Sequence, residues 1–259
     1  MTAGRHGDAI RAALTRNLGR RRRSWWLGAV LVISVAAALG AALLPSPADL
    51  QSRVQALVAA RGDVLLQPSG VPTLLAEAVI ATEDERFYGN HGIDVVSIGR
   101  ALWFDASHRC TCQGGSTITE QLVKDVYLKG SDRGPAKATD LAMALKLGLE
   151  MPKGQVLADY LSEIPTGRGL YGVPAAACAY FGQPIGSLSL ADDALLAGMA
   201  QAPSAYDPRF DPSAAIRRRA EVLSAMVSEG FISSQQATEA GATPLIAASD
   251  GYGQCSNRS

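Results

Sequence analysis

Residues 73–92, TLLAEAVIATEDERFYGNHG, decide how the rest of the chain is read. The first eleven put apolar side chains on one face at three- and four-residue spacing, the period of a helix and not of a strand. Three acids, Glu83, Asp84 and Glu85, follow directly, and a polar turn with glycines closes the stretch. A solvated charge cluster has this composition. So does a general base set where a helix end meets a cleft.

Outward from there, helical signals dominate. Thr117-Ile-Thr-Glu120 is a capping-box pattern that starts a helix and puts Gln121 and Lys124 on one face of it. Ser189 and Asp192 have the same spacing before a helix that stops ahead of Pro203. PSAAIRRRAEVLSAMVSEG, residues 212–230, sets Ile216, Leu223, Met226 and Val227 on one stripe and ends in Gly230. No sustained strand-type alternation and no internal repeat interrupts the series. The reading is a mostly α domain over residues 73–245.

The chain has 259 residues, 47% of them apolar, and a formal net charge of zero. That is enough for one sizeable core with attachments, and the balance gives no reason to expect nucleic acid. The charge is uneven, however: residues 1–24 carry seven arginines against Asp8 alone. Residues 25–44, WWLGAVLVISVAAALGAALL, then run for twenty positions without a charge. As a helix they span roughly 30 Å, the thickness of a bilayer's hydrocarbon core. Trp25 and Trp26 suit an interfacial anchor, and the arginines outside them belong on the cytoplasmic side. A cleaved secretory signal would be shorter, and a buried core helix is rarely uncharged for so long.

The expected organisation is therefore a basic cytoplasmic segment (1–24), a transmembrane signal-anchor (25–44) and a linker with one short helix (45–72). The helical domain (73–245) and a flexible tail (246–259) follow. An oxidising compartment permits disulfides among Cys110, Cys112, Cys178 and Cys255 without fixing their pairing. With only His108 near any of them, a zinc site is not expected.

Three polar clusters interrupt the helices. One is Glu83-Asp84 with Phe87, Asn90 and His91. The second is a glycine-led helix start with Ser116, Thr117, Gln121 and Lys124, and the third is Lys137 with Asp140. A helix start of this kind offers free N–H groups to a phosphate, with a lysine one turn on. Glu120 is placed both to cap that start and to pair with Lys124, roles that compete. Taken singly, each cluster has an ordinary surface explanation. Together they supply two acids and a phosphate cradle on the far side of a membrane, which suits a reaction on a phosphorylated lipid.

TEDERFYGNHGID, GGSTITEQLVKDVYL and KATDLAMALKL resemble, in order, the first three motifs of the peptidoglycan glycosyltransferase family. VLADYLSEIPTGRGLYGVPAAACAYFG, LSLADDALLAGMAQAPSAYDP and the later RR..VL..M...G.I are also similar to their family counterparts, so the resemblance covers about residues 73–235. It implies a mainly α, lysozyme-like, two-lobed helical domain behind an N-terminal transmembrane helix. It also implies a bacterial plasma-membrane enzyme that polymerises lipid II and releases undecaprenyl pyrophosphate. By resemblance, Glu83 is the general base and Asp140 the second acid. Asp84, Phe87, Ser116, Thr117, Gln121, Lys124 and Lys137 bind or orient substrate.

No dedicated metal site is implied and no cofactor is required, although a divalent cation (Mg or Mn) assists some relatives at the pyrophosphate. The expected partners are lipid II, the growing lipid-linked glycan, the membrane and other cell-wall synthesis proteins. Without KTG or SxN elements the chain reads as monofunctional. It departs from the family pattern at Asn90 (histidine, with His91 one place late), Glu120 (glutamine), Ala136 (arginine) and Asp140 (glutamate). Ser162, Pro165 and Thr166 stand where asparagine and aromatic residues are common. These departures define a rival reading, a catalytically silent relative that binds lipid II or glycan as an assembly partner. A lysozyme-like hydrolase would share the carboxylates but has no use for the lysine-bearing helix or the anchor.

Overall fold

The computed structural model describes residues 31, 32, 40, 42–108, 115–128 and 135–245. Residues 1–44 and 45–259 form separate units. In the first, Leu31, Val32 and Leu43 are helical and exposed. Among the described residues no helix is long and apolar enough to cross a membrane. The apolar run 25–44 lies mostly outside them. So do the basic segment, the tail 246–259, and Cys110, Cys112 and Cys255. Cys178 is disulfide-bonded.

The second unit is mainly helical. Its elements are α1 (Pro47–Arg61), α2 (Thr73–Glu83), α3 (Val95–His108), α4 (Ile118–Tyr127), α5 (Pro135–Glu150), α6 (Lys153–Glu163), α7 (Val173–Phe181), α8 (Leu190–Met199), α9 (Pro212–Ser228) and α10 (Ser234–Ala242). Between α6 and α7 a small antiparallel hairpin pairs β1 (Pro165–Gly167) with β2 (Leu170–Tyr171). The helices pack in two groups: α2 lies on α8 and α9, with α10 on α9, while α4 lies on α5 and α6, with α1 on α6.

Local chemistry starts two of these helices where the sequence predicts and bounds α1, which it does not. Thr117 and Ser189 close capping boxes with Glu120 and Asp192. Ser46 caps α1 with Pro47 in its first turn, and Gly62, in the left-handed region, ends it.

Two expectations need correction. Residues 45–72 are part of the compact unit and not a linker. Leu50, Val54 and Val58, four residues apart, are buried along α1, and each contributes on the order of 1.5–3 kcal/mol. Arg61 then forms a two-pronged pair with the buried Glu163, and the N–H of Leu66 donates to the Ser162 hydroxyl, fixing the segment to α6. Three apolar side chains among polar ones are a thin signal in sequence, but they suffice to dock a helix. The second correction concerns α9. Ile216 is exposed, and the buried face is Ala215, Arg218, Arg219, Val222, Leu223 and Met226. Two arginines of the run 217–219 thus lie inside the unit.

The turn after α2 is pressed against α5. Gly92 has φ +87°, and a Cβ there would stand 1.9 Å from the carbonyl oxygen of Ala144. A Cβ on Gly148, one turn further on, would likewise collide with the backbone of His91 and Gly92. Gly92→Ala should therefore lower the thermal midpoint severely, by about 3 kcal/mol or more in stability, because it adds a backbone clash to a strained dihedral. Gly62→Ala is the control: φ is +71° but nothing lies within 4 Å, so its loss should be only about 1–2 kcal/mol. Equal melting curves for the two variants would refute this account of the packing.

Candidate active site

Glu83 and Asp84 stand where α2 ends, and their surroundings separate their roles. The Asp84 carboxylate is buried and accepts from the side-chain amide of Asn90 at 2.8 Å and from the backbone N–H of Ile118 at 3.2 Å. Asn90 in turn accepts through its carbonyl oxygen from the Gly92 N–H and from the Lys153 ammonium, both at 3.0 Å. Lys153 also lies 4.5 Å from the ring centre of Phe87. Burial pushes the Asp84 carboxyl up, against the Asn90 and Ile118 hydrogen bonds and the Lys153 charge. Each oxygen of Asp84 accepts a bond that holds the turn.

Glu83 is arranged differently. Its Oε2 accepts from the Gln121 amide at 2.8 Å, and its Oε1 lies 4.0 Å from the Arg218 guanidinium. The buried Tyr160 hydroxyl donates to the Gln121 carbonyl oxygen at 3.0 Å, which turns the NH2 of that amide toward Glu83. Burial raises the Glu83 carboxyl above the ordinary glutamate range, opposed by the Gln121 hydrogen bond and by the charges of Arg218 and Lys124. A small cleft of about 110 Å³ opens beside Glu83 and Asp84, with Ser97, Ser116 and Thr117 among its walls. The arrangement is a partly desolvated carboxylate at the edge of a cavity, its charged form favoured by one amide and two cations against the effect of burial. It can accept a proton from a substrate hydroxyl.

The other expected site residues divide. Gln121 and Lys124 join Glu83, and Ser116 lines the cleft exposed. Thr117 reaches the cleft, but its hydroxyl is spent on the Glu120 N–H and the Gly92 carbonyl. Phe87 is fully buried and is a core residue under Lys153, not a substrate contact. The start of α4 is not an open phosphate cradle either. The N–H groups of Thr117, Ile118 and Glu120 are taken by Glu120, Asp84 and Thr117.

Lys137 and Asp140 are elsewhere. The Lys137 ammonium lies 3.0 Å from both the Glu120 and Asp140 carboxylates, each of which is almost wholly buried between α4 and α5. Glu120 thus caps α4 with one oxygen and holds Lys137, not Lys124, with the other. Burial lowers the Lys137 ammonium, but the two carboxylates outweigh it and raise it overall.

Arg218, Tyr160 and Lys153 escaped the sequence reading. A helical signal for Arg218 was present: it falls in step with Ala215, Val222 and Met226. Among the described residues no group of three His, Cys, Asp or Glu side chains is placed to hold a metal.

A family profile described as Transglycosylase matches residues 49–227. Penicillin-binding protein 1A of Haemophilus influenzae is 38% identical over 181 residues, 70% of this chain and 21% of that protein. Penicillin-binding protein 1F of Bacillus subtilis is 37% identical over 170 residues, 66% and 24% of the two. Penicillin-binding protein 1A of Escherichia coli is 39% identical over 166 residues, 64% and 20%. The crystal structure of the Haemophilus influenzae protein overlaps 71% of this chain and 18% of its own, at 24% identity and a TM-score of 0.42. The chain belongs to the transglycosylase family, the peptidoglycan glycosyltransferases. Its match spans between a fifth and a quarter of the length of these curated relatives.

Removing the Lys137 charge tests the assignment of its cluster. Lys137→Met should cost about 2–3 kcal/mol at neutral pH, because it leaves two buried carboxylates facing each other. Each carboxyl would then be raised in the folded state. The loss is therefore largest at high pH and shrinks as acid protonates them. Denaturant unfolding of both proteins at acid and neutral pH measures this. A pH-independent difference would place the acids outside the pair.

Proposed function

We propose that this chain is a membrane-tethered peptidoglycan glycosyltransferase that polymerises lipid II, with Glu83 as its general base. The arrangement of Glu83 carries the reading: a nearly buried carboxylate at a cleft edge, with both oxygens of its neighbour Asp84 engaged in fixing the turn. In the reaction, Glu83 takes the proton of the acceptor sugar's 4-hydroxyl as that oxygen attacks C1 of the lipid-linked donor. The new C–O bond forms as the bond from C1 to the pyrophosphate breaks, and undecaprenyl pyrophosphate departs with the electron pair. Attack from the opposite face turns the α-linkage into β.

Lys124, beside Glu83, supplies positive charge toward the leaving group. Asp84 is the orienting acid. A lipid substrate is also in keeping with α3, where Val95, Val96 and Trp103 face outward. The uncharged run 25–44 supports tethering.

One observation favours the rival reading of a silent lipid II-binding partner. The second acid of the resemblance, Asp140, is locked to Lys137 inside the α4–α5 contact. Polymerisation of labelled lipid II by purified full-length protein, resolved on a gel, separates the two. Glu83→Gln should retain the fold, by circular dichroism, and lose at least 100-fold in initial rate, the usual worth of a positioned base. Because burial raises the Glu83 carboxyl, the wild-type rate should begin to fall on acidification above the ordinary glutamate range. Wild-type turnover by Glu83→Gln would remove it from the mechanism, and no polymer from wild type would favour the silent partner.

A further inference from the structure

Arg218 is nearly buried, yet it touches two carboxylates of opposite exposure. One face of its guanidinium is 4.0 Å from Glu83, whose side chain is 9% exposed. The other is 3.0 Å from Glu221, whose side chain is 62% exposed. The side chain is fixed between them. Its Nε donates to the Gly198 carbonyl at 3.1 Å, and a Cβ on Gly198 would meet the Arg218 Cγ at 2.8 Å, so α8 must carry a glycine for the stem to lie there. Tyr206 lies 5.5 Å below the guanidinium.

We propose that Arg218 is a positioning residue that holds Glu83 ionised and aimed at the cleft, and that Glu221 governs from the surface how much of its charge reaches Glu83. The inference rests on Glu83 being the general base. A guanidinium shared between two acids divides its field. Withdrawing the outer acid leaves more for the inner one. Because the outer acid is in water, its share also depends on salt, while the buried side is shielded from it.

The other groups acting on Glu83 are accounted for. Lys124 on α4 adds positive charge, and Gln121 on the same helix donates its amide. Tyr160 on α6 presents a neutral hydroxyl whose ionisation Glu83 itself opposes. The acids of α8, Asp192 and Asp193, lie in its first turn, away from Gly198 near its other end. Arg218 is the cation from α9, and it makes no hydrogen bond that would tie it to Glu83 alone.

The test is the acid side of the rate–pH profile for lipid II polymerisation by the full chain. Arg218→Gln should move the acid limb to higher pH by about one pH unit, the lower end of what an opposite charge at this distance does. Arg218→Lys, which retains the charge, should stay within about 0.3 pH unit of wild type by the same argument. Glu221→Gln, a surface change that leaves the fold alone, should move the limb the other way, to lower pH by a few tenths. That shift should vanish at high salt. Should Arg218→Gln fail to fold, the direction and salt dependence of Glu221→Gln decide alone.

A limb that does not move in Glu221→Gln at low salt, or moves to higher pH, overturns the proposal. A merely structural arginine would lower the rate at every pH without shifting the limb. Glu83→Gln in the same assay separates the two levels. If it is inactive while the limbs coincide, only the role of Arg218 falls; if it is active, the base assignment falls first.

Discussion

A carboxylate removed from water must find donors, and Asp84 shows what that requirement imposes. Its partners are the first N–H of α4 and the Asn90 amide, so the end of α2 has to meet the start of α4. The turn between them must also fold back far enough to bring Asn90 alongside. Gly92 then lies against Ala144 with no room for a side chain, and Lys153 of α6 is drawn to Asn90. Three helices are thereby referred to one buried acid. Its neighbour Glu83, one residue earlier on α2, inherits a fixed position beside Gln121. The site residue is placed by the structural one.

The same economy explains why the start of α4 does not hold a phosphate. A helix N-terminus concentrates partial positive charge, and any anion near it is stabilised. Here that charge is consumed internally, by Asp84 and by the Glu120 carboxylate of the capping box. Positive charge free to act on a bound anion is therefore sought among the side chains. Lys137 is neutralised by two acids and Lys153 is bonded to Asn90. Lys124 has no ion-pair partner among the described residues, and its charge acts on Glu83. Its influence on Glu83 is of the same kind as that of Arg218, a field without a hydrogen bond.

Features that depend on a few neighbouring residues were legible in the sequence. The capping boxes at Thr117 and Ser189, the helical period through residues 73–83, and the meeting of Glu83, Gln121 and Lys124 follow from local spacing and from the resemblance. What could not be read was the far partner of each charged group. Glu120 faces both Lys124 along its own helix and Lys137 across the α4–α5 contact, and only packing decides between them. Arg217, Arg218 and Arg219 are alike in sequence, yet one is exposed and two are buried. Phe87 and the segment 45–72 were misplaced for a related reason. An aromatic in a polar motif, and three apolar residues in a polar stretch, show their burial only when the surface that covers them is known.

The Lys137 cluster joins these strands. Relative to the resembled family pattern, Glu120 replaces glutamine, Asp140 replaces glutamate and Ala136 replaces arginine. Mechanically the exchanges fit together. Asp140 is one methylene short, and Lys137 lies within 3.0 Å of it and of the Glu120 oxygen that capping leaves unused. Electrostatically they do not cancel. One acid with two bases in the family pattern stands here as two acids with one base, a change of two in formal charge over these four positions. Packing is satisfied by short-range contacts and tolerates such an exchange. A departing pyrophosphate responds to charge at longer range, and it would experience the full difference. The chain therefore preserves the geometry of its helix pair while changing the charge that the pair carries.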